Sequence, residues 1–435
     1  MTRFSPATSD EAGPKSAKNA KTARMQSLVD GVLTLGPQTV HIDVTNACNT
    51  DCVTCWDHSP HLDKAQPTSW KRKRVDLAST RALLDDIESL GGLQAVIVSG
   101  MGEPFTHPDI YAILEDIKRR GLQTTVITNL VAADVERIIA IGVDALLVGV
   151  QGASEQSYLR FHPSFDARHW QKLLDQLARL ARSDVQAKHV QVICCHNAHE
   201  LDAMIELAHV ARARQVNFKL ASWWGGTQAV RITDAQRGEL LGGAIAAATE
   251  RARALGMATN LDVFAAQVRA GEGREEITAP IEQVGCFLGT SYARVTVEGT
   301  VLYCCNTDVV VGSLADATFS AHWRGPAWAA LRRRMKDGDY FASCFTCGKL
   351  NQNEKLSRRF KEMFGDEVWA QHMGRGTSST SAPSATSATS ATSATSATSA
   401  TSATSATSAT SATSATSATS AARPMASRAR LTVLP

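Results

Sequence analysis

Apolar side chains recur in two rhythms between residues 77 and 221. Four stripes have helical spacing: Leu83, Leu84, Ile87 and Leu90; Ile110, Ile113, Leu114 and Ile117; Val131, Val135, Ile138 and Ile139; and Trp170, Leu173, Leu174, Leu177 and Leu180. Gly91-Gly92, Gly121 and Gly142 stop the first three. Short apolar runs between the stripes predict strands at Ala95 to Val98, Gln123 to Ile127, Asp144 to Val150, His189 to Cys195 and Val216 to Ala221. Thr39 to Val44 predicts an earlier strand, and His199 to Arg214 predicts a helix before the last one. Six strands alternating with helices predict a parallel sheet with crossover helices.

The flanks read differently. Residues 1–25 are polar and predict a disordered arm, and 26–37 a short lead-in. Residues 57–75 are loop-like and contain Lys71-Arg72-Lys73-Arg74, which is either a solvated charge run or a docking patch for an acidic peptide or a phosphate. Leu240 to Leu255 is the clearest helix of residues 222–280. Ala293 to Val297 and Thr300 to Tyr303 flank a Glu298-Gly299 turn and predict a hairpin; 351–373 predicts a terminal helix. Thr377 to Ala422 is almost wholly Ser, Ala and Thr, which cannot offset the entropy of ordering; disorder is expected for 374–435, with a basic end from Arg423. The expected divisions are a core at 26–280, a smaller domain at 281–373 and the tail.

With 435 residues, 44% of them hydrophobic, the chain can bury a large core, and its net charge of +3 suggests neither a nucleic-acid nor a membrane surface. No apolar run reaches the ~18 residues of a membrane span, and the first 25 residues lack the apolar segment of a secretory signal. Ten cysteines, several of them clustered, point to a reducing cytoplasm and to metal ligation rather than disulfides.

Cys48, Cys52 and Cys55 fall at CxxxCxxC spacing in one short loop. An iron–sulfur cluster normally takes four thiolates, so three leave a corner for a small molecule. Zinc with Cys48, Cys52, Cys55 and His58 is the alternative. The pattern directly follows a strand, His41 to Val44, and there it resembles radical S-adenosylmethionine (radical SAM) enzymes. The resemblance implies that the three Cys hold a [4Fe–4S] cluster, that SAM fills the open corner, and that one electron splits SAM into methionine and a hydrogen-abstracting 5′-deoxyadenosyl radical. Thr54 stands where relatives usually have an aromatic residue, and Trp56 follows Cys55 instead.

Ser99 to Pro104 resembles the family's Gly-Gly-Glu-Pro motif. Its two glycines let the backbone approach a ligand closely, and the resemblance implies that Gly100, Met101, Gly102 and Glu103 bind the SAM amino group. Asn129, after strand three, is a candidate for the SAM ribose or carboxylate or a turn cap. Gln151, after strand four, is the candidate for the ribose, since Gly149 and Gln151 replace the family's usual Ser and Asp. Asn197 is not counted as a site residue. Cys194 and Cys195, at the end of strand five, would point to opposite faces. Trp223-Trp224 is read as core or lid packing, or as a stacking platform.

Cys286, Cys304, Cys344 and Cys347 form a second set, two from the hairpin region and two at CxxC spacing. Four thiolates can close a complete cluster or a zinc ribbon. The order Cx12Gx4C then CxxC resembles the SPASM extension of radical SAM proteins, here in the one-cluster Twitch form, because position 353 is Asn and no Cys follows Cys347. Cys305 is a surplus thiol beside Cys304. The resemblance thus implies a partial (β/α)6 barrel with a small hairpin-plus-helix auxiliary domain, two [4Fe–4S] clusters, SAM, and a flavodoxin- or ferredoxin-type reductant. The expected activity is hydrogen abstraction from a peptide, the auxiliary cluster taking part in electron transfer. The alternatives are oxidation of a small metabolite such as an amino-cyclitol or sugar, and a non-catalytic iron–sulfur or zinc protein.

Overall fold

One sheet organises the molecule. The computed structural model describes residues 14–223, 225–271, 280–374 and 433–434. Its ten-stranded sheet comprises β1 (Thr39–Asp43), β2 (Ala95–Ser99), β3 (Gln123–Thr128), β4 (Ala145–Gly149), β5 (Gln186–Ile193), β6 (Gln215–Leu220), β7 (Ala258–Thr259), β8 (Tyr292–Val295), β9 (Thr300–Leu302) and β10 (Val310–Ser313). The spatial order is β10-β9-β8-β1-β2-β3-β4-β5-β6-β7, so the sheet is not closed. Strands β1 to β7 are parallel to their neighbours.

The crossover helices are α2 (Leu77–Glu88), α3 (Ile110–Arg119), α4 (Val135–Ile141), α5 (Glu155–Phe161), α6 (Ala167–Leu180) and α7 (Leu201–Val210), preceded by α1 (Pro14–Asp30). Asp76, Asp134, Ser154 and Asp166 accept backbone N–H bonds at four of their starts. Val40, Ile42, Val96, Val98, Val126, Leu146 and Val148 are buried on the helix side of the sheet with Leu84, Ile87, Ile113, Leu114 and Ile117. Register puts His41, Asp43, Ile97, Ser99, Thr125, Lys188, Asn217, Lys219 and Arg294 on the other, largely polar face.

The hairpin does not stand apart from the core. β8 pairs parallel with β1, Thr39 opposite Tyr292 and His41 opposite Arg294, and β9 turns back on it through Gly299, whose φ is 77°. A third strand, β10, completes this end; together with β7 it was not legible from apolar alternation, being short. The predicted helix at Leu240 to Leu255 is broken: a wide turn at Leu240–Ala244, containing Gly242 and Gly243, precedes α8 (Ile245–Ala254). β5 ends at Ile193, so Cys194 and Cys195 lie in the following turn rather than on the strand.

The second half of the expected amino-terminal arm is helical. Met25 and Leu28 of α1 pack with Phe287, Phe360 and Trp369, and the buried Arg24 donates to the carbonyls of Gly36 and Gly92. Residues 1–13 and the Ser-Ala-Thr repeat lie outside the described residues, whereas Val433–Leu434 pairs antiparallel with Arg74–Val75.

Candidate active site

The cysteine loop leaves the carboxyl end of β1 and is sewn to the loop after β2. Val44 N donates to Ser99 O (2.8 Å), Gly102 N to Thr45 O (3.2 Å) and Glu103 N to Ala47 O (2.8 Å). A Cβ on Gly100 would fall on the Thr45 carbonyl, and one on Gly102 on the Ala47 carbonyl. The two glycines are therefore required by backbone packed on backbone, one loop against the other.

Cys48, Cys52 and Cys55 are half-buried and feel one another electrostatically. Burial pushes all three thiols up, Cys48 to about 12, so loading metal must displace their protons. Among the described residues no three Cys, His, Asp or Glu side chains are close enough to hold a single ion. Thiolates around zinc stand about 2.3 Å from it, whereas a four-iron cluster spreads its ligands wider. Three thiols in one loop are the donor set of a four-iron cluster with one free corner, and among the described residues His58 does not complete a single-ion site with them.

Glu103 is the loop's buried charge. Its Oε1 accepts Thr128 Oγ1 (2.7 Å) and Phe105 N (3.1 Å), and its Oε2 accepts Asn129 N (2.7 Å). Burial pushes it up to about 7 against those hydrogen bonds, and no cationic side chain among the described residues pairs with it. An unpaired buried carboxylate fits the ammonium group of SAM. Asn129 joins this site: its Nδ2 donates to Asn49 Oδ1 in the cysteine loop (2.8 Å) and its Oδ1 accepts Val131 N (3.0 Å). Gln151, the ribose candidate, makes a hydrogen bond within the protein. In left-handed backbone (φ 64°), it turns its Oε1 to Val192 N (2.5 Å), capping β5. Asn197, set aside by sequence reasoning, donates to the Gln151 and Val192 carbonyls and accepts from Cys194 N.

The second cysteines gather around the hairpin. Cys286 lies within electrostatic reach of Cys344, Cys347 and Cys305. Cys304 Sγ accepts Asn306 N and Cys347 Sγ accepts Lys349 N, both at 3.4 Å. Cys344 and Cys347 precede the terminal helix, Leu350–His372. On that helix the buried Asn353 accepts Phe287 N (2.8 Å), so it braces the backbone beside Cys286. Four thiols of this kind fit a complete cluster.

Sequence reasoning missed the polar group between the two sets. Asp43, fully buried, pairs with Arg294 (2.8 Å) and accepts Ser99 Oγ (3.1 Å). His41 bonds Ser99 Oγ on one side and Tyr292 Oη (2.9 Å) on the other. Arg294 also donates to Cys305 O (3.1 Å) and stands 3.7 Å from Met101 Sδ. One guanidinium thus touches the end of β1, the Met101 loop and the neighbour of Cys304. Polar residues on alternate positions of an otherwise apolar strand were the available signal.

The Radical SAM superfamily profile matches residues 42–209, and the iron–sulfur cluster-binding SPASM domain matches residues 286–348. The AdoMet-dependent heme synthase of Methanosarcina barkeri is 23% identical over 70% of this chain and 86% of its own. The tRNA 4-demethylwyosine synthase of Oryza sativa is 24% identical, with the match spanning 43% of this chain and 31% of that protein. Among solved structures, Streptococcus suis SuiB bound to its precursor peptide SuiA aligns with TM-score 0.53 at 15% identity, over 80% of this chain and 78% of SuiB. AdoMet-bound anSMEcpe aligns with TM-score 0.52 at 12% identity, over 78% of this chain and 98% of that one. These likenesses show the fold, and the domain matches imply SAM, a [4Fe–4S] cluster and further iron–sulfur binding in the SPASM region. The chain is an enzyme of the radical SAM superfamily with a SPASM-type iron–sulfur domain on its carboxyl-terminal side.

Proposed function

We propose that the chain oxidises a C–H bond of a peptide, with Cys48, Cys52 and Cys55 holding the SAM-cleaving cluster and Cys286, Cys304, Cys344 and Cys347 an auxiliary one. When bound, the first cluster and SAM supply a 5′-deoxyadenosyl radical that takes a hydrogen atom. The chain's own residues do the rest. Glu103 holds the SAM ammonium, Asn129 fixes the cysteine loop through Asn49, and the open polar face of the sheet receives the substrate. The observation that carries the reading is Arg294, one side chain in contact with the Met101 loop and with the backbone beside Cys304. It keeps the two thiol sets on one framework, as electron transfer from a substrate between them requires. Peptide as substrate is supported by the fold shared with peptide-bound SuiB. A one-electron donor of the flavodoxin or ferredoxin type would reduce the first cluster.

The M. barkeri relative, matched over 86% of its length, favours a second reading, oxidation of a small metabolite. Anaerobic incubation of the reconstituted protein with SAM, reductant and candidate substrates tests both. Stimulated 5′-deoxyadenosine release with a 2 Da mass loss from a peptide supports the first reading. The same loss from a small molecule alone replaces it with the second.

A further inference from the structure

The two thiol sets differ in the charges placed around them. Toward the polar face of the sheet, the auxiliary set meets cations. Arg294 donates to the carbonyl of Cys305, the residue after Cys304, at 3.1 Å. Lys349, two residues beyond Cys347, gives its backbone N–H to Cys347 Sγ (3.4 Å) while its Nζ stands 4.8 Å from the centre of the Tyr292 ring. Tyr292 and Arg294 lie two apart on β8 and so share a face. Lys219, near the carboxyl end of β6, is on that face as well and within electrostatic reach of Cys305 with the other two. Asp43 pairs with Arg294 from beneath. Around the SAM-cleaving set the charges are mixed: Glu103 is within electrostatic reach of Cys48, and Asp57 and the cation Lys71 are within reach of Cys55.

We infer that Arg294 and Lys349 hold up the reduction potential of the auxiliary centre. A cluster on four thiolates is already anionic, and an added electron makes it more so. Fixed cations and N–H bonds to its sulfurs favour that reduced form and raise the potential. Asn306 N to Cys304 Sγ and Lys349 N to Cys347 Sγ supply two such bonds. Arg294 acts through the Cys305 backbone and is a positioning residue; it touches no reacting atom. The inference rests on the reading of Cys286, Cys304, Cys344 and Cys347 as cluster ligands.

The test is EPR-monitored redox titration of the reconstituted full chain, as wild type, R294Q, R294K, K349Q and the exposed-site control K172Q. At the potential where the wild-type auxiliary cluster is half reduced, R294Q lowers the reduced-to-oxidised ratio tenfold or more, which for one electron is 59 mV. K349Q moves it the same way, R294K keeps it within threefold of wild type, and K172Q leaves it unchanged. An unchanged ratio in K349Q and R294Q, with the auxiliary cluster loaded, overturns the inference. Should R294Q fail to load, K349Q against K172Q decides. A wild-type protein with one cluster only would overturn the ligand reading itself.

Discussion

Arg294 and Asp43 lie 2.8 Å apart, joining residues 251 positions distant along the chain. The pair links the first strand of the hairpin to the last residue before the cysteine loop. Asp43 is fully buried and Arg294 nearly so. Removing one partner strands the other's charge, which costs about 3–5 kcal/mol. Asp43→Ala should therefore lose about that much stability in denaturant unfolding. The double variant Asp43→Asn, Arg294→Gln should lose less than the sum of its two singles. Additive losses would show that the pair is not coupled.

Glu103 gives SAM affinity a pH dependence. Its carboxyl is raised from 4.5 to about 7 by burial, so without SAM the folded chain holds a proton that the unfolded chain has lost between those values. The stability of SAM-free protein therefore falls as pH rises from 4.5 toward 7. SAM, with its ammonium, favours the ionised form. Affinity should climb about tenfold per pH unit below 7 and level off above it. Calorimetric titration from pH 5.5 to 8 checks this; Glu103→Gln should bind at least tenfold more weakly, with a flat profile. A flat profile in the wild type would remove Glu103 from the ammonium site.

Gly102→Ala places a methyl group on the Ala47 carbonyl. The cysteine loop and the loop after β2 must separate, breaking the Glu103 N to Ala47 O bond. Iron content after anaerobic reconstitution should drop from about eight to about four atoms per chain, the auxiliary set remaining loaded. Full iron in this variant would show that the two loops need not touch.

Adjacent thiols can be told apart by the same assay. Cys304 keeps the spacing from Gly299 and its sulfur already accepts Asn306 N. Cys304→Ala should lose about four irons, and Cys305→Ala none. The reverse pattern would make Cys305 the ligand.

Local sequence carried much of this. Six of the parallel strands and most of their helices were visible because each buries one face at a regular period. The first cysteine set, the CxxC pair of the second and the Gly100 to Glu103 loop were visible because each is a short local pattern. The Asp43–Arg294–Ser99–His41–Tyr292 group was not, because it exists only once β8 pairs with β1, and nothing local fixes that register. The bond from Val192 N to Gln151 was hidden for a related reason: it joins the loop after β4 to β5 and forms from left-handed backbone that local sequence does not announce. The glycines of the Gly100 to Glu103 loop were recognised, but their reason, a neighbouring backbone, needed the fold.

The central claim is that a cluster on Cys48, Cys52 and Cys55 keeps one corner for SAM. EPR of the anaerobically reduced protein, recorded with and without SAM, tests it most directly. The signal lost in a Cys48, Cys52, Cys55→Ala triple variant should shift when SAM is added to the wild type, while the remaining signal persists in that variant. A spectrum that SAM leaves unaltered in every feature would contradict the account.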